Sequence, residues 1–323
     1  MLTCLNRSMK ILVVGAGAVG DYFGGRLLEV GREVTFLVRP RRAAQLAASG
    51  LVIKSPAGDV TVPAPKTVAA AALNQGFDLV LLSCKAYDLE GAIASFAPAV
   101  GPGTLILPLL NGLRHLDRLD KSFGAANVLG GQCVISASLD QDGTVVHAGA
   151  LHSMTFGERQ GGITDRIRAV LSAMGGAVFD ARASEAILLE MWEKWVFLAS
   201  LAGSTTLMRA TIGDICSIPD GRTFVLSLIE ECRRIAELEG NGPRPAFLEI
   251  IRAQLTAADS PLTASMYRDM QRNGLIEADH IIGDLLQRGQ QHQAAQGGFP
   301  ILRLIYASLK AYEKKRARTG GIS

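Results

Sequence analysis

A glycine-rich segment near the start of the chain constrains the fold more than any other feature. Residues 9–14 (MKILVV) form an apolar run of strand length, and the glycine-rich segment follows it directly. Apolar side chains then recur at helical spacing up to Gly31, and residues 33–38 form a second apolar run. A strand, turn, helix and strand in this order predict the first unit of a doubly wound parallel sheet.

The spacing of the glycines in this turn is typical of a dinucleotide site. In GxGxxG the first glycine makes a tight turn, the second lets the backbone approach a pyrophosphate, and the third lets the helix pack on the strand. The N-terminus of the helix adds partial positive charge. The residues predicted to bind the dinucleotide are Gly15, Ala16, Gly17, Ala18, Val19 and Gly20.

The end of the second strand indicates which dinucleotide is bound. A site for NAD places Asp or Glu there to accept a hydrogen bond from the ribose 2′-hydroxyl. This chain has no carboxylate in residues 38–42 (VRPRR). Arg39 can instead bind a 2′-phosphate, with Arg41 or Arg42 assisting, because guanidinium groups match phosphate geometry. The alternative is a solvated basic loop, and the sequence favours NADP(H).

The rest of the chain changes in character near residue 182. Strands are predicted at 51–54 and 59–62, as a hairpin, and at 78–83 and 104–107, with further short strands between 127 and 180. Helices are predicted at 185–208, 222–240, 245–258, 276–290 and 300–318. The prediction is an α/β protein with an N-terminal Rossmann-type doubly wound sheet at 9–182 and a mostly α-helical domain at 183–323. Residues 1–8 are predicted to be a loose N-terminal extension.

Composition limits the kinds of partner that we expect. The formal net charge is only +3 over 323 residues, so nothing indicates a nucleic-acid partner. No apolar stretch is long enough to span a membrane. The five cysteines are scattered without a CxxC pair, which is typical of reduced thiols rather than a metal site. We therefore expect a cytoplasmic protein without a metal, a membrane partner or a nucleic-acid partner.

Two polar residues follow predicted strands of the sheet. Lys85 comes directly after the strand at 78–83, and Asn111 comes after the strand at 104–107. Because the carboxyl ends of strands line the ligand crevice of a doubly wound sheet, both are expected on the nicotinamide side.

Lys194 is the candidate proton donor. It lies in a helix that has no further charged residue before Arg209. Because a helix that is apolar on all sides is buried, a lysine at its edge is partly desolvated and gives up its proton more easily. The alternative is an i, i+4 ion pair with Glu190 on an exposed first turn. The residues alone leave both interpretations open.

Along nearly its whole length the chain resembles the ketopantoate (2-dehydropantoate) reductase family. The motifs that carry this resemblance are the GAGAVG turn, Lys85 in SCKAY, Asn111 in LNG, Lys194 in WEK, and Ser265 and Glu277 in TASMYRDMQRNGLIEADHIIG. The resemblance implies that Lys194 donates a proton to the carbonyl oxygen while NADPH gives hydride to C2 of a 2-oxo acid. It also implies that Glu277 lies beside cofactor and substrate, that Ser265 contacts the substrate carboxylate, and that Lys85 and Asn111 hold the nicotinamide end. The implied reaction converts 2-dehydropantoate to pantoate, a step of pantothenate biosynthesis.

The chain departs from the family at its substrate-binding positions. Pantoate-forming members carry asparagines one and two helical repeats after the lysine, and this chain has Leu198 and Ala202 there. With Lys194 and Ser265, these positions are expected to bind the substrate. A hydrophobic pocket does not hydrogen-bond a substrate hydroxyl, although Thr205 could supply a polar group on the same face.

Three alternatives to pantoate formation remain. The same chemistry could act on a more apolar 2-oxo acid, or the chain could be a non-catalytic NADP(H)-responsive binding protein. A third possibility, an opine or 3-hydroxyacid dehydrogenase, shares the two-domain plan but leaves the SCKAY and SMYRD segments unexplained. The expected partner is a small-molecule 2-oxo acid substrate, and a homodimer is possible.

Overall fold

The computed structural model describes residues 8–292 and 298–320, so the predicted extension at 1–8 lies outside the described residues except for Ser8. The chain divides into two compact units. One comprises Met1–Leu110 and His115–Ile187, and the other comprises Asn111–Arg114 and Leu188–Ser323. The division falls a few residues beyond the change predicted near 182, and the short segment Asn111–Arg114 belongs to the second unit.

The first unit contains a parallel sheet that carries the glycine-rich turn. The strands of this unit are β1 (Lys10–Val14), β2 (Glu33–Leu37), β3 (Leu51–Lys54), β4 (Val60–Val62), β5 (Lys66–Val68), β6 (Leu79–Leu82), β7 (Leu105–Pro108), β8 (Gly130–Leu139), β9 (Val145–Gly157) and β10 (Asp180–Ala183). In the first sheet the order is β5-β2-β1-β6-β7 and every pairing is parallel. The strand order reverses beside β1, as in a Rossmann-type fold, so the predicted α/β fold class is confirmed.

Helices bury the central strands of this sheet. The α-helices of the first unit are α1 (Ala18–Glu29), α2 (Pro40–Ser49), α3 (Leu89–Phe96), α4 (Arg114–Phe123, whose first residue belongs to the second unit) and α5 (Asp165–Met174). Every residue of β6 and β7 is buried, and so are the last four of β1. These strands are continuous apolar runs because parallel strands are covered on both faces.

A second sheet in the first unit joins segments that are distant in sequence. The predicted hairpin is confirmed as antiparallel β3 and β4, and β3 also pairs with β9, in the order β10-β9-β3-β4, with β8 on β9. Two adjacent glycines let α1 pack closely on both sheets. A Cβ atom at Gly24 would lie 2.7 Å from the Phe36 ring, and one at Gly25 would lie 2.6 Å from Ile53 Cδ1.

The second unit is helical. Its helices are α6 (Ile187–Met208), α7 (Ile212–Ser217), α8 (Gly221–Leu238), α9 (Pro245–Leu255), α10 (Ser265–Gln271), α11 (Asp284–Gln291) and α12 (Pro300–Arg318). The helix predicted at 276–290 starts later and opens with a π-helical turn, Asp279–Gly283, before α11. Within residues 8–292 and 298–320, no helix has both the length and the hydropathy that a membrane span requires.

Candidate active site

Two of the three glycines of the GAGAVG segment, Gly15 before α1 and Gly20 within it, are required by the packing of the protein itself. Gly15 has a φ of +92°, and a Cβ atom there would lie 2.5 Å from the backbone nitrogen of Cys84. A Cβ atom at Gly20 would lie 2.4 Å from both Gly15 O and Ser83 Oγ. The Ser83 hydroxyl also donates to Gly15 O at 3.0 Å, so the exit of β6 holds the turn in place.

Gly17 differs from the other two because a Cβ atom there would meet no described atom within 4 Å. It is the N-cap residue of α1, and no side chain caps this helix. The first N–H groups of an α-helix have no acceptor within the helix, so the backbone at Ala18 and Val19 is suited to bind an anion. Open space in front of an uncapped helix N-terminus fits a pyrophosphate group.

Arg39 lies where the sequence predicts a contact with a 2′-phosphate. It directly precedes α2, its side chain is 76% exposed, and its Nη2 donates to Asp88 Oδ1 at 2.7 Å. This carboxylate raises the pKa of Arg39, which therefore stays charged. Because an exposed ion pair contributes only about 0–1 kcal/mol, a phosphate can replace Asp88 as the partner of Arg39.

Arg42, one of the two arginines expected to assist Arg39, is paired within the protein. The Arg42 side chain is 12% exposed and forms an ion pair with Asp21, a fully buried residue of α1. Burial raises the pKa of Asp21 to about 6, although Arg42 opposes the shift. Asp21 Oδ1 has no hydrogen-bond partner among the described residues. Arg42 therefore compensates a buried carboxylate and links α2 to α1. Asp21 was not among the residues predicted from the sequence.

Lys85 lies at the same sheet edge as the glycine-rich turn. It is half-buried and follows β6, whose neighbour in the sheet is β1. Ser83, two residues earlier, donates its N–H to Val14 O at 2.8 Å. The strand exits at Val14 and Ser83 are therefore adjacent, as expected for a doubly wound sheet.

In the second unit, the turn of α6 that carries Lys194 is fixed by both of its sequence neighbours. Lys194 itself is half-buried. The Glu193 carboxylate, 3% exposed, accepts from the backbone N–H of Arg244 at 3.0 Å and from its guanidinium at 2.8 and 2.5 Å. The indole Nε1 of Trp195 donates to Ile281 O at 2.9 Å. The sequence predicted none of these contacts, and their only signal in it is the clustering of tryptophan and charge in WEKW.

The segments that carry Asn111 and Glu277 both contact the π-helical turn of the second unit. Glu277 is buried, and its carbonyl accepts the N–H groups of His280 at 3.2 Å and Ile281 at 3.0 Å. Gly112, next to Asn111, has a φ of +73°, and a Cβ atom there would lie 2.9 Å from His280 O. Because Ile281 also binds Trp195, this turn brings together the segments that carry Asn111, Glu277 and Lys194.

Ser265 begins α10 and is exposed. The residue before it, Ala264, donates its N–H to Thr205 Oγ1 at 3.4 Å, so α10 starts against α6. The buried Thr205 hydroxyl also donates to Leu201 O at 2.8 Å. Thr205 is therefore committed to contacts within the protein.

Leu198 and Ala202 follow Lys194 at i+4 and i+8 on α6. Leu198 is half-buried, and Ala202 is 3% exposed. Residues at this spacing share one face of a helix, so the face beyond Lys194 is apolar. Among the described residues, no cluster of three or more His, Cys, Asp or Glu side chains could hold a metal ion.

Comparison with known proteins gives a consistent match along the chain. A family model described as ketopantoate reductase PanE/ApbA matches residues 11–161, and the model of its C-terminal part matches residues 186–313. The uncharacterized oxidoreductase YkpB of Bacillus subtilis is 39% identical over 95% of this chain and 100% of its own. A 2-dehydropantoate 2-reductase from Halobacterium salinarum is 26% identical over 92% of this chain and 96% of its own. The crystal structure of 2-dehydropantoate 2-reductase from Geobacter metallireducens is 27% identical with a TM-score of 0.84, over 94% of this chain and 99% of that chain.

Proposed function

The chain belongs to the ketopantoate reductase PanE/ApbA family of oxidoreductases, and from this premise we propose that it reduces a 2-oxo acid with NADPH, with Lys194 as proton donor. The observation that carries the proposal is the placement of Lys194. It is half-buried on an apolar helix, between two neighbours that are each held by a hydrogen bond or ion pair. The same π-helical turn that binds Trp195 follows Glu277.

The first unit fits the cofactor that this reaction requires. The open space at Gly17, the uncapped start of α1 and the exposed guanidinium of Arg39 suit the pyrophosphate and the 2′-phosphate. When bound, NADPH supplies the hydride that adds to C2 of the substrate. Lys85 lies at the sheet edge beside this turn, which supports its predicted role at the nicotinamide end.

Lys194 supplies what the cofactor does not, a proton for the carbonyl oxygen. An ammonium group can donate a proton to the carbonyl oxygen as negative charge develops there during hydride addition. A fixed helical turn also holds the donor in one geometry, which is how a protein lowers the entropic cost of reaction. Glu277 is buried and comes two residues before the π-helical turn, and it is proposed to lie beside the cofactor and substrate. Ser265 is proposed to contact the substrate carboxylate.

The positions and partners of the hydroxyl groups on α6 favour a substrate that lacks a terminal hydroxyl. Ser200 donates to Val196 O at 2.8 Å, and Thr205 is held by Leu201 and Ala264. Ser204 is buried without a described partner, but it lies about 80° around the helix from Lys194, on the side away from Leu198 and Ala202. We therefore propose a branched apolar 2-oxo acid, such as 2-oxoisovalerate, as a substrate that rivals 2-dehydropantoate.

The test is NADPH oxidation by the purified protein with a panel of 2-oxo acids that includes 2-dehydropantoate and 2-oxoisovalerate. We expect turnover with at least one acid and a higher kcat/KM with NADPH than with NADH. Tight NADPH binding without turnover of any acid would contradict the proposal and favour the non-catalytic binding protein. The homodimer and the cytoplasmic location stay predictions.

A further inference from the structure

The π-helical turn Asp279–Gly283 makes contacts that the proposed reaction does not use. Such turns are rare in helices and are concentrated at functional sites. One carbonyl of this turn, that of Ile281, accepts the buried indole N–H of Trp195, while the N–H groups of His280 and Ile281 bind Glu277 O. The turn thus links the helix that carries Lys194 to Glu277.

The segment Asn111–Gly112 reaches the same turn from a distant part of the chain. A Cβ atom at Gly112 would lie 2.9 Å from His280 O and 3.2 Å from Cδ2 of its ring, so only glycine allows this approach. Burial lowers the pKa of the His280 imidazole, and a hydrogen bond between the ring and the Asn111 backbone partly opposes this shift. A bond that favours the protonated ring is one in which the ring donates and the carbonyl accepts.

The surroundings of His280 keep its ring neutral but able to donate. The side chain is 6% exposed, and burial is the largest influence and lowers its pKa. Glu277 and Asp284 oppose this shift, whereas Arg114 adds to it. A neutral imidazole still carries one N–H, which matches the single carbonyl acceptor on Asn111.

We propose that His280 is a positioning residue for Asn111. Its ring fixes the backbone of the Asn111–Gly112 segment on the π-helical turn, and so holds the Asn111 side chain in a set relation to Glu277. The inference rests on the proposed function, because Asn111 affects catalysis only if it holds the nicotinamide end of the cofactor. Leucine at position 280 would fill the space without donating a hydrogen bond, whereas glutamine would keep a donor.

A double-mutant cycle tests this coupling. His280→Leu, Asn111→Ala and the double variant are compared by kcat and KM for the best 2-oxo acid, and by the Kd for NADPH measured from nucleotide fluorescence. We expect His280→Leu to lower kcat/KM and to weaken NADPH binding roughly tenfold, the effect of losing one buried hydrogen bond. In the Asn111→Ala background the same substitution should change both quantities by less than about twofold, because its effect passes through Asn111. Additive effects in both quantities would overturn the inference.

Two further variants separate positioning from general stability. His280→Gln should recover most of the NADPH affinity, and a glutamine variant as impaired as the leucine variant would contradict the role of the donor. His147→Leu removes another buried histidine, one that bonds Ser55 and the backbone of Leu151 in the first unit. It should lower the melting temperature and leave kcat and the Kd for NADPH unchanged.

The outcomes distinguish this inference from the proposed function. A wild-type protein that reduces no 2-oxo acid would refute the function, and the cycle would then be decided on the Kd for NADPH alone. If His280→Leu does not fold, Gly112→Ala replaces it, because that change displaces the Asn111 segment and leaves the ring intact. When Gly112→Ala is combined with Asn111→Ala, the effects are again expected to be less than additive, and additive effects would overturn the inference.

Discussion

The glycine-rich turn of the first unit and the π-helical turn of the second unit both stand at the start of a helix, but they are stabilised in different ways. The glycine-rich turn leaves its helix uncapped and keeps open space at Gly17. The π-helical turn is covered by its own protein, with Gly112, Trp195 and Tyr306 packed on it. The first therefore leaves space that suits a ligand, whereas the second holds together the segments that carry Asn111, Glu277 and Lys194.

Substitution of Lys194, the proposed proton donor, should have the largest effect. Lys194→Ala should lower kcat by roughly 10²–10⁴-fold, the usual contribution of general acid–base catalysis. The Kd for NADPH should barely change, because the glycine-rich turn is intact. Steady-state kinetics and a nucleotide titration on the same preparation measure the two quantities. A variant that keeps most of its turnover would favour the alternative, in which Lys194 forms an exposed ion pair with Glu190.

Two arginines near the glycine-rich turn should separate ligand binding from stability. Arg42→Leu leaves the buried Asp21 without its partner, which should lower the free energy of unfolding by about 3–5 kcal/mol. Arg39→Ala should leave stability within about 0.5 kcal/mol and weaken NADPH while NADH binding is unchanged. Urea unfolding and titrations with both nucleotides provide the measurements. Equal affinity of the wild-type protein for NADPH and NADH would contradict the assignment of Arg39.

The buried carboxylate of Asp21 should give the first unit a measurable pH dependence. Its pKa is raised to about 6 in the folded protein, so between about pH 4 and 6 the folded state binds more protons than the unfolded state. Its contribution to stability is therefore present at low pH and is lost as the pH rises through this range, by on the order of 3 kcal/mol. Relative to Asp21→Asn, the wild-type protein should lose stability between pH 4 and pH 7. A stability difference that stays constant over this range would show that Asp21 is ionised throughout.

Gly15 and Gly17 should respond differently to the same substitution. Gly15→Ala places a methyl group against the Cys84 backbone and forces a positive φ, which should cost about 1–3 kcal/mol of stability. Gly17→Ala should leave stability nearly unchanged and weaken NADPH, because its methyl group points into the open space. Thermal unfolding with and without NADPH measures both effects. If Gly17→Ala binds NADPH as tightly as the wild-type protein, the pyrophosphate does not occupy that space.

The apolar face of α6 should give the smallest effect. Replacing Leu198 and Ala202 together by Asn should shift the ratio of kcat/KM values toward 2-dehydropantoate by about 1 kcal/mol, if one hydrogen bond to the substrate hydroxyl is regained. Leu198→Met and Ala202→Ser, changes that restore no amide, serve as controls. A wild-type enzyme that strongly prefers 2-dehydropantoate over 2-oxoisovalerate would disprove the proposed substrate preference.

The sequence predicted features that depend on residues close together in the chain, but not contacts between distant segments. The glycine-rich turn, the strand–helix alternation and the hairpin of β3 and β4 depend on neighbouring residues, and their patterns were sufficient. The pairing of β3 with β9, the ion pair of Asp21 with Arg42 and the bond from Trp195 to Ile281 join distant segments. Local periodicity carries no information about such contacts. It therefore predicts Lys194 as a candidate but not the residues that hold it.

The assignment of Asn111–Arg114 to the second unit has a consequence for modularity. The helical unit is not encoded by one contiguous stretch of the gene, because four of its residues are inserted within the Rossmann half. A fragment that starts at Leu188 would lack Gly112, the residue that packs on the π-helical turn, and the carbonyl that accepts from His280. Recombination that exchanged the C-terminal half between relatives would therefore place His280 against the 111–114 segment of another protein. We expect such a chimera to need glycine at position 112, because a Cβ atom there would lie 2.9 Å from His280 O.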